Sequence, residues 1–314
     1  MAMSGNCRIT VVGSNMIDLV SYLDRVPERG ETVFGRSFDQ GFGGKGANQA
    51  VMAALLGGQV DIVTCVGDDL FGPKWFDHFK ACGVGTGHIS TIAGIYSGVA
   101  AIWVEPAGDN RIVLSGGAND HVSPGLVDKA FDDIDATNVV LSQLEIPQPA
   151  IVRGFVHARA RGAATVLNPG PASALGQDLL GLTDWLLPNE TELRLLAREM
   201  FGLEHDDDVA LAKAFARKSG IRLVVTLGDR GAAYVDPAAA DDAVLFAAPK
   251  VSVADTTGAG DAFAGAFAYG LAAKMGTAAS VRLAIAVSAD SVTRRGTSVS
   301  YARGQALEAI RHAL

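Results

Sequence analysis

The stretch VVLSQLEIPQPAIVRGFVHARARGAATVLN, residues 139–168, reads as strand, helix, strand. Residues 139–141 and 165–168 are short apolar runs rich in β-branched side chains, and residues 149–160 between them carry an Ala-rich helical pattern. Strands that are continuously apolar, not alternating, are covered on both faces, as in a parallel sheet. Two such strands joined by a helix form a right-handed crossover. The rhythm continues in both directions. Strand-like runs fall at 8–12, 61–66, 185–187 and 223–227, and helical patterns at 47–56, 73–81, 190–200, 209–218, 260–273 and 278–294. The sequence therefore predicts an α/β chain with a doubly wound, mostly parallel sheet and helices on both faces.

Two segments break the rhythm. Residues 19–40 and 97–116 hold strand-like pieces with no helix between them. Within the second, residues 99–104 and 111–114 flank the turn-forming cluster EPAGDN and read as a hairpin. Both are expected to build a small accessory sheet inserted into a single domain spanning 1–314. Such a sheet could be a lid, a dimer surface or an edge decoration.

Composition narrows the function. The 314 residues are 49% hydrophobic and 19% charged, so the chain can bury a sizeable core and is not disordered as a whole. A formal charge of −8 with no long basic run argues against gripping nucleic acid. Cys7, Cys65 and Cys82 form no C-x-x-C pair, and no His cluster has metal-ligand spacing, so buried thiols in a reducing compartment are expected. The opening MAMSGNCRIT lacks the apolar core of a signal peptide. The uncharged stretch at 262–273 is too short to span a bilayer. A cytoplasmic protein with no membrane partner is the expectation.

Glycine clusters at three loops, residues 41–46, 228–231 and 258–260, where a missing Cβ lets backbone N–H groups turn toward a ligand. GFGGKGANQA, residues 41–50, opens the first strong helical pattern. Its G-x-G-x-x-G letters match a dinucleotide fingerprint, but that motif belongs directly after the first strand, where residues 13–18 lack the glycines. Lys45 and Asn48 beside exposed helix-start amides suit a polyhydroxylated or anionic small molecule; a tight packing turn is the plainer alternative. In ADTTGAGDAFAGAF, residues 254–267, Thr256, Thr257, Gly258, Ala259 and Gly260 would present successive amides at a helix start, an anion hole for a transferring phosphate. Asp261 then falls in the first turn, as a general base or simply as an acid that satisfies the helix dipole. The loop is not a P-loop, because Asp261 stands where that motif needs Lys.

PNETE at 188–192 places Asn189 and Glu192 at another helix start, able to hold Mg²⁺ through water or to act as a cap. TLGDRGA at 226–232 follows a strand and reads equally as a ligand loop or a hairpin turn. Asp18 and Glu145 each lie just past a strand-like run, as crevice carboxylates or solvated acids.

Together these clusters resemble the ribokinase-like (PfkB-type) sugar kinase family, over essentially the whole chain. GFGGKGANQA is similar to its sugar-site motif and DTTGAGDAF to its catalytic motif. QLE at 143–145, NPGPA at 168–172, PNETE and TLGDRG fall between them in the family's order. The resemblance implies a central sheet with a β-sheet lid that mediates dimerisation, hence a homodimer. It implies that Asp18, Gly44, Lys45, Gly46, Ala47, Asn48 and Glu145 hold sugar hydroxyls. Asp261 would deprotonate the primary hydroxyl beside an anion hole of Thr257, Gly258, Ala259 and Gly260. Asn189, Thr226, Leu227, Gly228, Asp229, Arg230, Gly231 and Gly260 would line an ATP site, with Asn189 and Glu192 placing Mg²⁺ by way of water. Asp255, Thr257, Ser291, Arg294, Gly296 and Ser300 match a loop for a monovalent cation, with K⁺ as activator. The implied reaction is ATP-dependent phosphorylation of the 5-hydroxyl of D-ribose. Other substrates of the class are nucleosides, fructose and 2-keto-3-deoxy sugar acids, and a non-catalytic sugar sensor is the alternative outside it. Two positions depart from the pattern, and the cation loop, GTSVS at 296–300, keeps Ser300 but varies around it. Met16 in GSNMID stands where many members carry Asn, and Ile285 where a polar residue often faces the nucleotide.

Overall fold

A computed structural model describes residues 7–106, 109–239 and 242–312. The stretch before Cys7, where no apolar leader is read, and Ala107 and Gly108 of the EPAGDN turn lie outside the described residues. In chain order the strands are β1 (Arg8–Val12), β2 (Met16–Tyr22), β3 (Ser37–Gly43), β4 (Gln59–Gly67), β5 (Val84–Gly85), β6 (Ile89–Ile92) and β7 (Val99–Val104). There follow β8 (Asn110–Ser115), β9 (Val139–Gln143), β10 (Ala164–Asn168), β11 (Trp185–Leu186), β12 (Arg222–Thr226), β13 (Ala232–Val235) and β14 (Ala243–Phe246). The helices are α1 (Lys45–Leu55), α2 (Gly72–Ala81), α3 (Pro124–Asp133), α4 (Gln148–Ala160) and α5 (Gln177–Leu182). The rest are α6 (Glu190–Phe201), α7 (Asp208–Ser219), α8 (Ala259–Ala272), α9 (Thr277–Ser291) and α10 (Gln305–His312).

The large sheet runs β14-β13-β12-β11-β10-β9-β1-β4-β5, with β6 also on β4. From β12 to β4 every pairing is parallel; β13 and β14 are added antiparallel at one edge. The apolar strand runs are explained by two cores, one on each face. Val11 and Leu141 point into the core formed with α1, α2, α8, α9 and α10, while Val12 and Val140 point into that formed with α3 to α7. Neighbouring residues of one strand thus face opposite cores, so neither face tolerates polar alternation. Fully buried Trp75, Phe155, Phe215 and Phe267 fill the layers, each contributing about 1.5–3 kcal/mol by burial.

The two irregular segments pair as expected, with slightly different bounds. They form a separate four-stranded sheet, β3-β2-β7-β8. Its second strand starts at Met16 and its first ends at Gly43, so Gly41 and Gly43 are strand residues paired with Asp18 and Met16. β1 therefore feeds directly into β2 with no intervening helix, which accounts for the missing glycines after the first strand. The TLGDRGA segment is the β12–β13 hairpin turn, at the carboxyl end of the last parallel strand. No helix among the described residues is long and apolar enough to cross a membrane.

Candidate active site

Asn15, Gln143, Glu145, Asn168, Asn189 and Thr226 all lie at or just beyond carboxyl ends of parallel strands, where a doubly wound sheet leaves its crevice. The starts of α1 and α8 close that crevice. Asp261, 6% exposed in the first turn of α8, is held on both oxygens: Asn48 Nδ2 donates to Oδ2 at 2.9 Å and Gln49 Nε2 to Oδ1 at 3.0 Å. Gln49 is itself fixed, donating to Asn168 Oδ1 at 3.0 Å and accepting from Gln143 Nε2 at 2.6 Å, while Asn168 donates to the Leu187 carbonyl. Gln49, Gln143 and Asn168 are site residues that the motif reading missed. The available signal was Gln49 itself, an amide in the otherwise apolar run Gln49–Met52; a buried amide needs partners.

The Asp255–Gly260 loop presents fewer free amides than the sequence suggests. Thr257 N donates to Asp255 Oδ1 at 2.9 Å, and Ala259 N to the Thr256 carbonyl at 3.2 Å. Gly258 and Gly260 N–H have no protein partner among the described residues. Gly258 adopts φ 77°, a conformation open to glycine, and sets the loop into the helix. Its carbonyl accepts from Tyr301 Oη at 3.1 Å, anchoring the turn from behind. These two free amides, at the positive end of a 14-residue helix, face a cavity of about 200 Å³. Lys45, Asn168, Asn189, Glu192, Thr226, Gly258, Gly260 and Asp261 line it.

Lys45 begins α1. Burial pulls its pKa down, but Asp261, Glu145 and Glu192 together outweigh this and raise it, so it is an ammonium among three buried carboxylates. Glu145 caps α1: its Oε2 accepts from Lys45 N at 2.8 Å and Ser14 Oγ at 2.5 Å. Burial lifts the Glu145 pKa against the opposing pull of Lys45. Asp18 projects from β2 over Gly43, where any Cβ would strike its carboxylate. Burial, then Glu145 and Asp261, pushes its pKa up to about 7. Near neutral pH this group can thus donate or accept a hydrogen bond to a hydroxyl. Gly46 and Ala47 pack on Ser14 through their backbone N–H groups. Gly44, with φ 83°, turns β3 into α1.

Asn189 and Glu192 form a reciprocal capping box at α6, with Asn189 Oδ1 accepting from Glu192 N and Glu192 Oε2 from Asn189 N. Both still line the cavity, and Glu192 keeps one oxygen free of the cap. Arg230 turns outward to Glu190 and to Asp208 at 2.9 Å, so of the Thr226–Gly231 turn its guanidinium does not enter the crevice. Asp255 ties two loops together, accepting from Thr257 N and Oγ1 on one oxygen and from Gly296 N at 2.9 Å on the other. Those bonds hold its pKa low against burial. Ser291 closes α9 nearby. The Ser300 carbonyl is already engaged, accepting from Arg294 Nε at 2.7 Å.

Sequence reasoning also missed a larger cleft, of about 710 Å³. It lies between the segment leaving β14 and helix α9, with Ile285 in its wall. Gly231 abuts the backbone of Phe246 and Ala248, which line the cleft, and Ala254 N and Asp255 N donate to the Val292 carbonyl of the α9 end.

Comparison with known proteins agrees with this geometry. Residues 7–303 match the model of the pfkB family carbohydrate kinases. The chain is 35% identical to a ribokinase of Haemophilus influenzae, over 97% of this chain and 99% of that one. It is equally 35% identical to a deoxyribokinase of Salmonella typhi, over 93% and 95% respectively. The ribokinase of Thermotoga maritima superposes with a TM-score of 0.87 at 31% identity, covering 96% of this chain and 98% of that one. The Arabidopsis thaliana ribokinase solved with ribose and ATP also gives 0.87, at 28% identity and the same coverages. The chain belongs to the pfkB family of carbohydrate kinases and is an ATP-dependent sugar kinase by family.

Proposed function

We propose that the chain transfers the γ-phosphoryl group of ATP to the 5-hydroxyl of D-ribose. The observation that carries this reading is the juxtaposition at the start of α8: two unpartnered amides and a carboxylate clamped on both oxygens, at the floor of one cavity. The sugar would lie between Asp18, Asn48, Glu145 and Lys45, with its primary hydroxyl against Asp261. Asp261 accepts the hydroxyl proton as the oxygen attacks. Gly258 and Gly260 N–H meet the charge that grows on the phosphoryl oxygens, where fixed dipoles cost no reorganisation. The small sheet, bearing Asp18, would close over the sugar and exclude water.

The donor set fits a Mg²⁺ ion carried on the nucleotide. Among the described residues no group of three His, Cys, Asp or Glu could hold a metal, but Glu192 has one oxygen on the cavity. Mg²⁺ keeps several waters and takes few carboxylates, so Glu192 and Asn189 would hold it through water while it neutralises phosphate charge. A monovalent cation is proposed between the loops that Asp255 joins, with Thr257, Ser291, Arg294 and Gly296 around it. The buried Ser298 hydroxyl in that loop has no partner among the described residues, which supports a polar ligand there. Ser300 would contribute least, because its carbonyl already serves Arg294.

A second sugar is favoured by a specific residue. Met16 is buried two positions before Asp18 on the same face of β2, its Sδ accepting from Asn119 Nδ2 at 3.5 Å. A thioether is a weak partner for a hydroxyl. A 2-hydroxyl placed against Met16 would gain little, so a sugar lacking it would lose little here, and one relative is a deoxyribokinase. 2-Deoxy-D-ribose is therefore the alternative acceptor.

A coupled ADP-release assay with Mg-ATP separates these readings. It compares D-ribose, 2-deoxy-D-ribose, fructose, adenosine and 2-keto-3-deoxygluconate, each with K⁺ or with a large organic cation. The expected result is pentose-selective turnover stimulated by K⁺. Selective turnover on a nucleoside or hexose would move the substrate; ATP binding without turnover on any acceptor would favour a sugar sensor.

The small sheet also supports a proposed homodimer. All six residues of β8 are exposed, Ile112, Val113 and Leu114 among them, and Phe38 stands out from β3. Sedimentation at micromolar chain is expected to give twice the chain mass, and a monomer there would refute pairing through this sheet.

A further inference from the structure

A carboxylate serves as a base at one place only if its plane is held, because the last torsion of an aspartate is soft and two-fold. Lys45 shares the cavity wall with Asp261. A carboxylate free to turn would swing toward the ammonium and spend on it the lone pair that must take a proton. Two consecutive residues of α1 hold Asp261 in place, and they are not equivalent. Asn48 donates to Oδ2 but keeps its own buried Oδ1 without a partner among the described residues, so it retains an atom for a ligand. Gln49 retains none. It is fully buried, it does not line the cavity, and its amide is bonded at both ends within the protein.

The direction of these bonds is set from a distance. The Leu187 carbonyl can only accept, so Asn168 turns Nδ2 to it, at 2.8 Å, and Oδ1 toward Gln49. Gln49 must then present Nε2, which donates to Asn168 Oδ1 and to Asp261 Oδ1, each at 3.0 Å. Its Oε1 is left to Gln143 Nε2, which donates at 2.6 Å. A backbone carbonyl thereby decides that an N–H, and not a lone pair, faces the carboxylate. Helix packing permits the approach. Gly265 lies one turn beyond Asp261 on the same face of α8, and a Cβ there would strike the Gln49 carbonyl.

We propose that Gln49 is a positioning residue for phosphoryl transfer, holding the Asp261 carboxylate at the angle from which it takes the hydroxyl proton; this rests on the kinase reading above. Gln49 touches neither sugar nor nucleotide and acts through Asp261. Its loss therefore costs turnover and not affinity, by roughly 10–10², since a reacting group misplaced by about 1 Å loses about that much.

The test is steady-state kinetics on the whole protein with Mg-ATP and a pentose, for Gln49→Met in the wild-type and in the Asp261→Asn backgrounds. Methionine keeps the length of the side chain and removes the donor. In the wild-type background kcat should fall roughly 10–10²-fold while KM for the pentose stays within about threefold. In the Asp261→Asn background the same change should alter kcat by less than about threefold, because residues that act as one unit are not lost twice. An equal fold-loss in both backgrounds, or a loss carried by KM, would mean general damage to the site and would overturn the inference. So would a folded Gln49→Met enzyme with wild-type kcat. If Gln49→Met does not fold, Gln143→Met replaces it. That variant removes only the far support of Gln49 and should lower kcat about three- to tenfold, with KM unchanged and only where Asp261 is present. Unchanged kcat there would equally overturn the inference. A wild type that binds ATP but turns over no acceptor would remove the kinase reading, and this inference with it, before any substitution is made.

Discussion

Replacing Asp261 with Asn should lower kcat by roughly 10²–10⁴, the usual worth of a positioned general base. The side chain is almost isosteric, so the fold should survive. Its amide nitrogen, however, must face an N–H of either Asn48 or Gln49, both of which donate to the native carboxylate. Loss of the proton acceptor and this donor clash act on the same atom, whereas the sugar pocket keeps Asp18, Lys45 and Glu145. KM for the sugar should therefore stay within a few fold. Asp18→Ala is the contrasting case. It removes a ground-state contact to hydroxyls and should mainly raise the sugar KM, by about 10–100-fold for a buried charged hydrogen bond. Steady-state kinetics on the two purified variants, with circular dichroism as a check of folding, separates the roles. Asp261→Asn turnover within tenfold of wild type would remove Asp261 from the chemistry.

The second large effect is on stability. Lys45→Met takes the ammonium from among Asp261, Glu145 and Glu192, leaving buried carboxylates without their cation. Breaking such a buried arrangement costs about 3–5 kcal/mol, or roughly a 10 °C fall in Tm for a chain of this size. The pH dependence has a definite sign. Burial already raises the folded-state pKa of Glu145 and Glu192, and Asp18 is pushed up to about 7. Without Lys45 the Glu145 and Glu192 values rise further, so above the ordinary carboxylate range the folded variant binds more protons than the unfolded one. Stability then falls as pH rises. The deficit should be largest near pH 8 and shrink toward pH 5. Calorimetric Tm values across that range check it; an equal deficit at both ends would mean that lost packing, not stranded charge, is responsible.

The parts of this protein legible in the sequence are those with a local cause. β1, β9 and β10 were readable because a strand sandwiched between two cores must be apolar throughout. The helix starts at Lys45, Glu190 and Ala259 were readable because glycine, Asn and acid residues sit where free amides need them. β13 and β14 were not, since the small Ala232 and Ala233 of β13 and the exposed Val244 and Leu245 of the edge strand β14 carry no such pattern. Helices α3 and α5 are short and half-exposed and were missed for the same reason. In the site, motif residues announced themselves through glycine and charge. The Gln143–Gln49–Asn168 amide chain did not, because its members come from three separate segments and meet only in the folded chain. The larger cleft is likewise assembled from the β14 exit and α9, two stretches with no motif of their own.

In the proposed reaction Asp261 and the Gly258–Gly260 turn drive phosphoryl transfer to a primary sugar hydroxyl. Phosphorus NMR of the product formed from Mg-ATP and a pentose tests it most directly. A phosphate on C5 is coupled to two methylene protons, so a triplet is expected that grows with ADP and is missing when Asp261→Asn replaces the wild type over the same interval. A doublet, from phosphate on the anomeric carbon, or inorganic phosphate alone, would contradict it.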